Sequence, residues 1–278
     1  MSCASKHFGP WAIEPEWFRK SVEMVNAGLW QMRSYEDLEA AERAAPTRVA
    51  PEADGIVRLQ ISGPMMKGES KFGGCNTLAL RRQVQTARQD PAAKALLLEI
   101  DSPGGMVGGT DALAREVALA SRVKPTAAVI DGIGASAAYW VASQCQYVFA
   151  SRTSEVGSIG VVTYIVDSSA ADEKKGYKVH VVSTGPMKGA FVPGTVVTEE
   201  MLQDVQRRVD DTNRFFLAAL ESGRKKHYDK NAEEWKSGKV WIASKAQEMG
   251  LIDGIEESEE SGARKTLLQR ISQLKSRL

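Results

Sequence analysis

Three short stretches of this sequence hold residue types that together could carry out acyl transfer at a carbonyl. The first is Asp-Gly-Ile-Gly-Ala-Ser-Ala-Ala-Tyr-Trp at 131–140, which puts Ser136 where a strand should hand over to a helix. A serine at such a joint points its hydroxyl out of the fold, beside the first N–H groups of the helix and the positive end of its dipole. The second is Ser-Thr-Gly-Pro-Met-Lys-Gly-Ala-Phe at 183–191, where Lys188 has small and apolar neighbours in place of other charges. A lysine acts as a base only once its ammonium has given up a proton, and dry surroundings favour that loss. The third is Asp-Ser-Pro-Gly-Gly-Met-Val-Gly-Gly at 101–109, directly after a predicted strand. Backbone N–H groups of Gly104 or Gly105, joined by that of Ala137, would form an oxyanion hole for a tetrahedral intermediate.

Each stretch has a plainer alternative. Ser136 can be a small-residue joint without chemistry, Lys188 a solvated loop lysine, and the glycine run a phosphate loop. The last is disfavoured, because the Lys-Ser/Thr of a P-loop is missing and the dinucleotide glycine spacing is not met. The Gly-x-Ser-x-Gly elbow of the α/β-hydrolases is absent too. Histidine is a poor candidate for the base. His7 precedes the predicted core, His180 falls inside an apolar run, and His227 follows a Lys-rich helix end. That leaves a serine/lysine pair, a known variant of the triad.

The elements that must position these residues alternate between strand and helix from residue 55 onward. Strands are predicted over 56–61, 95–100, 125–130, 146–150, 177–183 and 239–242. Helices are predicted over 77–89, 110–122, 137–143, 168–175, 198–224 and 244–249, with Thr198 as an N-cap and Gly250 closing the last. Such alternation predicts a buried, largely parallel sheet. Helical spacing at 14–32 and 35–45, broken by Pro46 and Ala-Pro-Glu-Ala-Asp at 50–54, marks residues 1–50 as a helical appendage. The core then runs over 51–256. A tail over 257–278 carries Leu267, Leu268, Ile271, Leu274 and Leu278 at helical spacing, for packing on its own domain or on a partner helix.

Composition narrows the partners. With 36 basic and 35 acidic residues the formal net charge is +1, which gives no electrostatic argument for nucleic acid or an anionic membrane. Three cysteines without metal spacing and three histidines make a metal site unexpected. No secretion signal is seen and no apolar run reaches the roughly 18 residues of a membrane span, so a cytoplasmic setting is expected, without cofactor.

Taken jointly, Ser-Pro-Gly-Gly at 102–105, Ala-Ser-Ala-Ala-Tyr-Trp-Val-Ala-Ser at 135–143, Val-Gly-Ser-Ile-Gly-Val at 156–161 and the run ending at Lys188 resemble, in order and interval, the serine/lysine proteases of the signal peptide peptidase A type. The resemblance covers about 55–256. It implies an α/β fold of the Clp protease/crotonase kind, a ββα superhelix, here with an amino-terminal helical appendage and a carboxy-terminal helix. It implies Ser136 as nucleophile, Lys188 as general base, and Gly104 or Gly105 with Ala137 as oxyanion donors. By the same resemblance Ser158 and Gly160 belong to the active-site wall, with Ser158 in a supporting role. Family nucleophiles are often followed by Gly-Gly, whereas Ala137 and Ala138 follow here. Alanine keeps the N–H.

The opening His-Phe-Gly-Pro-Trp-Ala-Ile-Glu-Pro is similar to that of the phage branch, the capsid assembly or prohead proteases. This implies a peptide or protein substrate such as a capsid or scaffold protein, a homo-oligomer, and work in the host cytoplasm or procapsid. Other expectations compatible with the fold are degradation of released signal peptides, an inactive scaffold or portal-binding module, and a crotonase-type acyl-CoA enzyme.

Overall fold

A computed structural model of the chain describes residues 11–27, 40, 48–68, 74–225, 233–256 and 262–276. The centre is a mixed sheet built from β2 (Ile56–Ser62), β5 (Ala95–Ser102), β7 (Thr126–Ala135), β8 (Tyr147–Ser151), β9 (Glu155–Gly157), β10 (Val240–Ile242) and β11 (Gly254–Glu256). Its path runs β10-β9-β7-β5-β2, with β8 beside β7 and β11 beside β8. Every pairing is parallel except that of β10 with β9. The apolar runs that open β5 and β7 follow from this, since a parallel sheet is covered on both faces.

β7 is the pivot. Ala127–Ile130 pair with β8, and Ile133–Ala135, beyond a bend at Asp131 and Gly132, pair with β9. The bend is held by the Asp101 carboxylate, which accepts from the Ile133 N–H at 3.2 Å, and by Ser154 Oγ, which accepts from the Gly132 N–H at 3.1 Å.

On one face pack α2 (Thr77–Gln89), α3 (Thr110–Ser121), α4 (Ala137–Ala142) and α6 (Glu199–Gly223). Asn76 caps α2 by accepting from Leu78 and Ala79 N–H at 3.0 and 3.1 Å, and Thr198 caps α6 by accepting from Met201 N–H at 3.3 Å. α7 (Ala243–Glu248) closes on Gly250, whose φ of 72° is open to glycine without strain. The opposite face is covered by α8 (Ala263–Lys275), whose Ala263, Leu267 and Ile271 bury themselves against Ile56, Ala95, Leu97 and Ala127. The tail therefore packs on its own domain.

A second, four-stranded sheet has the order β1-β6-β3-β4, from β1 (Trp11–Ile13), β3 (Met65–Met66), β4 (Cys75–Asn76) and β6 (Gly104–Met106). β1 leads directly into α1 (Pro15–Asn26). The helix expected over 14–32 is seen that far; the one expected over 35–45 lies outside the described residues, apart from Ala40.

One predicted strand is corrected. Residues 177–183 form no strand, although α5 (Ser169–Lys174) precedes them as expected. The apolar residues of this run stand in solvent, Tyr177 at 68% and Val182 at 98% exposure. Their β-branched content reads as a strand, but a strand needs a neighbour to satisfy its backbone, and among the described residues the chain supplies none.

Candidate active site

Ser136 sits between the end of β7 and the start of α4. Its N–H donates to Gly157 O at 2.8 Å and its own carbonyl accepts from Trp140 N–H at 2.8 Å, so both flanking elements fix its backbone. The result is a φ of 53° and a ψ of −118°, a conformation that L-residues rarely adopt and that persists only when the surroundings impose it. The side chain is buried, and its Oγ reaches Gly160 O at 3.5 Å.

The helix that follows is anchored from two sides. All six residues of α4 are buried, Trp140 stacks on Phe216 of α6 with ring centroids 4.7 Å apart, and Tyr139 Oη donates to Leu251 O at 2.6 Å. Beneath it the Arg224 guanidinium, itself fully buried, donates to Asp253. Burial keeps the Tyr139 phenol well above its usual range, which leaves it a hydrogen-bond donor.

The glycine motif packs against the same joint. A Cβ on Gly104 would fall 2.8 Å from Ala137 N and 2.9 Å from Ala135 O, and one on Gly105 would fall 2.0 Å from Met65 O. The two amides differ in their engagements. Ser102 Oγ accepts from the Gly104 N–H at 3.2 Å and donates to Gly63 O at 2.7 Å, so the Gly104 amide is already held by the buried serine of its own motif. Gly105 is therefore the better placed of the pair to meet a carbonyl outside the motif. Ser102 carries the signal that could have revealed this, a serine two residues ahead of the glycine whose N–H it takes.

Ser158 is buried with a φ of 50°, and its N–H donates to Lys239 O at 2.7 Å. Gly160 faces open space where its Cβ would stand. Both lie beside Ser136, since Gly157 O and Gly160 O are its partners. Lys188 is exposed, in a short 3-10 turn over Pro186–Gly189, and among the described residues no hydrogen bond joins it to Ser136. His180 is likewise exposed on the irregular segment before it, while His7 and His227 lie outside the described residues.

Burial pushes the thiols of Cys75 and Cys145 up to about 12, which removes both as thiolate nucleophiles near neutral pH. Among the described residues no group of three or more His, Cys, Asp or Glu could hold a metal ion. A cavity of about 520 Å³ opens on the outer face of the sheet, lined by Arg58, Glu99, Asp101, Asp131, Glu256 and Arg264 among others, and Ser136 is not part of it.

A family model described as peptidase family S49 matches residues 118–272. The chain belongs to peptidase family S49. The S49 match spans the Ser136 joint, Ser158, Gly160 and Lys188 alike. Similar sequences include Protease 4 of Salmonella typhi, 28% identical over 222 residues that make up 78% of this chain and 35% of that protein. Capsid assembly protease C of Escherichia phage lambda is 30% identical over 169 residues, 59% of this chain and 38% of that protein. A putative signal peptide peptidase of Enterococcus faecium is 28% identical over 212 residues, 74% and 61% respectively. The chain thus spans between about a third and three-fifths of the length of these relatives. Solved structures similar to it include an enoyl-CoA hydratase/isomerase family protein from Silicibacter pomeroyi, with a TM-score of 0.45 at 15% identity over 81% of this chain and 78% of that one. A membrane-bound stomatin-specific protease in complex with a substrate peptide gives a TM-score of 0.41 at 15% identity over 73% and 75%. Among the described residues no helix is long and apolar enough to cross a membrane.

Proposed function

We propose that the chain is a serine endopeptidase in which Ser136 is the nucleophile and Lys188 the general base, and that it cuts scaffold or capsid proteins during maturation of a phage head. The observation that carries the chemistry is the backbone at Ser136, a positive φ at a buried serine held between β7 and α4 beside the glycine motif. Strain of this kind concentrates where a side chain must be aimed.

In this reading the neutral Lys188 amine takes the hydroxyl proton as Ser136 Oγ adds to the scissile carbonyl carbon. The charge that develops on the carbonyl oxygen is received by the N–H groups of Gly105 and Ala137. Collapse breaks the C–N bond, the lysine returns its proton to the leaving amine, and water hydrolyses the Ser136 ester. Ser158, whose N–H donates to Lys239 O, has the supporting role of helping to orient the lysine. Because Lys188 is exposed while Ser136 is buried, the reading includes a homo-oligomer in which the lysine approaches the serine of a neighbouring copy. The exposed Tyr177, Val179, Val181 and Val182 on the same segment support a partner of that kind.

Likeness to a protein named for capsid assembly supports the phage role. Likeness of similar degree to Protease 4 and to a signal peptide peptidase supports a second reading, degradation of released peptides. The test is to incubate the chain, its Ser136→Ala form and its Lys188→Arg form with candidate coat and scaffold proteins and to sequence new termini by mass spectrometry. Cleavage is expected from the unvaried chain alone, because arginine keeps its proton at any accessible pH. Substantial activity in Lys188→Arg removes Lys188 as the base. Cleavage of short apolar peptides with coat and scaffold left intact transfers the assignment to the second reading.

A further inference from the structure

The strand that carries Gly104 and Gly105 is paired along one edge with β1, a segment of the same chain. β1 lies antiparallel to β6 with Trp11 opposite Met106, Ala12 opposite Gly105 and Ile13 opposite Gly104. The Glu14 N–H donates to Pro103 O at 2.7 Å, so these opposed residues form a hydrogen-bonded pair. Bonded pairs in an antiparallel ladder recur every second residue, which makes Ala12 and Gly105 the next one and directs the Gly105 N–H to the Ala12 carbonyl. That carbonyl oxygen and the Ala137 N both lie within 2.8 Å of the point where a Cβ on Gly104 would stand. The Ala12 carbonyl thus faces the Gly105 N–H assigned above to the oxyanion hole, and shares with the Ala137 N the space over Gly104.

The other edge of β1 is also occupied. Trp11 N–H donates to Val162 O and Val162 N–H to Trp11 O, each at 2.8 Å, and Val162 lies two residues beyond the Gly160 whose carbonyl meets Ser136 Oγ. Trp11, Ala12 and Ile13 are all buried, Ala12 completely and among the same core residues as Ala137 and Ala138. A peptide that binds by adding a strand needs a free row of backbone groups. Here Gly105 on one side and Val162 on the other both spend theirs on β1. One N–H cannot receive a second carbonyl while it holds the first.

We propose that β1 is an internal ligand of the peptide groove, with Ala12 standing where the residue of the attacked carbonyl would stand, and that a substrate peptide binds by displacing it. This rests on the peptidase reading above. It makes the unliganded chain self-occluded, and it fixes the chemistry of the displacing peptide as extended, with a small residue at the central position and apolar residues on either side of it. An internal competitor lowers the apparent affinity of any outside peptide by the fraction of time the groove stands open, so a groove open a tenth of the time weakens binding about tenfold.

The test uses the full chain carrying Ser136→Ala, so that nothing is turned over, and a fluorescent peptide of residues 8–17, Phe-Gly-Pro-Trp-Ala-Ile-Glu-Pro-Glu-Trp. Adding Ala12→Trp puts a side chain into the groove's small central site that it cannot accept and should expel β1. The double variant is expected to bind the peptide about tenfold or more tighter than Ser136→Ala by anisotropy. Since Ala12→Trp can also disturb the core, the second measurement leaves Ala12 unvaried. Saturating the Ser136→Ala chain with peptide should speed hydrogen exchange at the Trp11, Ala12 and Glu14 amides while Val162 stays protected. Equal affinity in a folded double variant, no binding to either form, or Trp11 and Ala12 amides that stay protected with peptide bound would each overturn the proposal. Neither readout involves turnover. An inactive chain that still exchanges β1 for peptide would sink the peptidase reading and keep this one, and an active enzyme that never releases β1 would do the reverse.

Discussion

The guanidinium of Arg224 donates two hydrogen bonds to the carboxylate of Asp253, at 2.8 and 2.9 Å, and a third to Gly250 O at 3.2 Å. Asp253 in turn accepts from the Val148 N–H at 2.7 Å, so the pair ties the end of α6 to the turn after α7 and to β8. Leu251, in that same turn, accepts from the Tyr139 hydroxyl of α4. Removing one member of a buried pair leaves the other charge without compensation, which typically costs ~3–5 kcal/mol. Arg224→Ala is expected to lose that much in urea unfolding, and the loss should exceed that of any exposed pair, such as Arg214 with Asp211, for which Arg214→Ala is expected near zero. A loss below about 1 kcal/mol in Arg224→Ala would mean that the turn holds without the pair.

At Gly105 the limit is space. A methyl there would lie 2.0 Å from Met65 O, 2.6 Å from its N and 2.7 Å from its C, all backbone atoms of a neighbouring strand that cannot step aside. Gly105→Ala should therefore cost ~2–3 kcal/mol or more and disrupt the Ser136 joint with it. Gly108, three residues on in the same motif, meets only the far end of Lys67 at 3.9 Å. Gly108→Ala is expected within ~0.5 kcal/mol of the unvaried chain. Comparable urea midpoints for the two variants would contradict the packing argument.

Much of this arrangement was legible in the sequence, for reasons that differ by element. The β7–α4 joint announced itself because an apolar β-branched run met a cluster of glycine and alanine, and Thr198 marked a helix start by its side-chain oxygen. β1, β3, β4 and β6 did not, since strands of two or three residues are too short to show alternation. The apolar run at 177–183 misled because periodicity reports what a segment could pair with, while pairing needs a second strand. Arg224 and Asp253 are charged residues 29 positions apart with no local pattern to couple them, so only the fold could show that both are buried in contact. Sequence order likewise says nothing of the distance between Ser136 and Lys188.

Acid should loosen the segment that carries Lys188 before it unfolds the core. Asp167 accepts from Ser169 Oγ at 2.6 Å, from Val197 N–H at 3.0 Å and from Ser169 N–H at 2.9 Å, bonds that hold its carboxyl below the usual carboxylate range. The bond to Val197 closes the loop over 167–197. A depressed folded pKa means that the contribution is in place above the unfolded value of about 4 and fades as pH falls through the folded one. Hydrogen exchange at the Val197 amide, corrected for its intrinsic pH dependence, should accelerate below about pH 4 in the unvaried chain. In Asp167→Asn, which has no carboxyl to protonate, that acid step should disappear, and its persistence would assign the step to another group.

If Lys188 serves the Ser136 of a neighbouring copy, two inactive proteins should repair each other. Lys188 is exposed on a segment with exposed apolar residues, Ser136 is buried beside Gly160, and among the described residues no hydrogen bond joins the two. A closed ring presents the same interface at every junction, each with a serine from one copy and a lysine from the next. Mixing Ser136→Ala and Lys188→Ala at equal amounts before assembly should then leave about one quarter of the junctions with both natural residues. The subunits have to be combined by co-expression or by dissociation and reassembly, because finished rings need not exchange. Peptidase activity near a quarter of that of identically treated unvaried protein is the expected result. Mixed assemblies verified by native mass spectrometry that stay as inactive as either parent, alongside active unvaried controls, would require serine and lysine to meet within one chain.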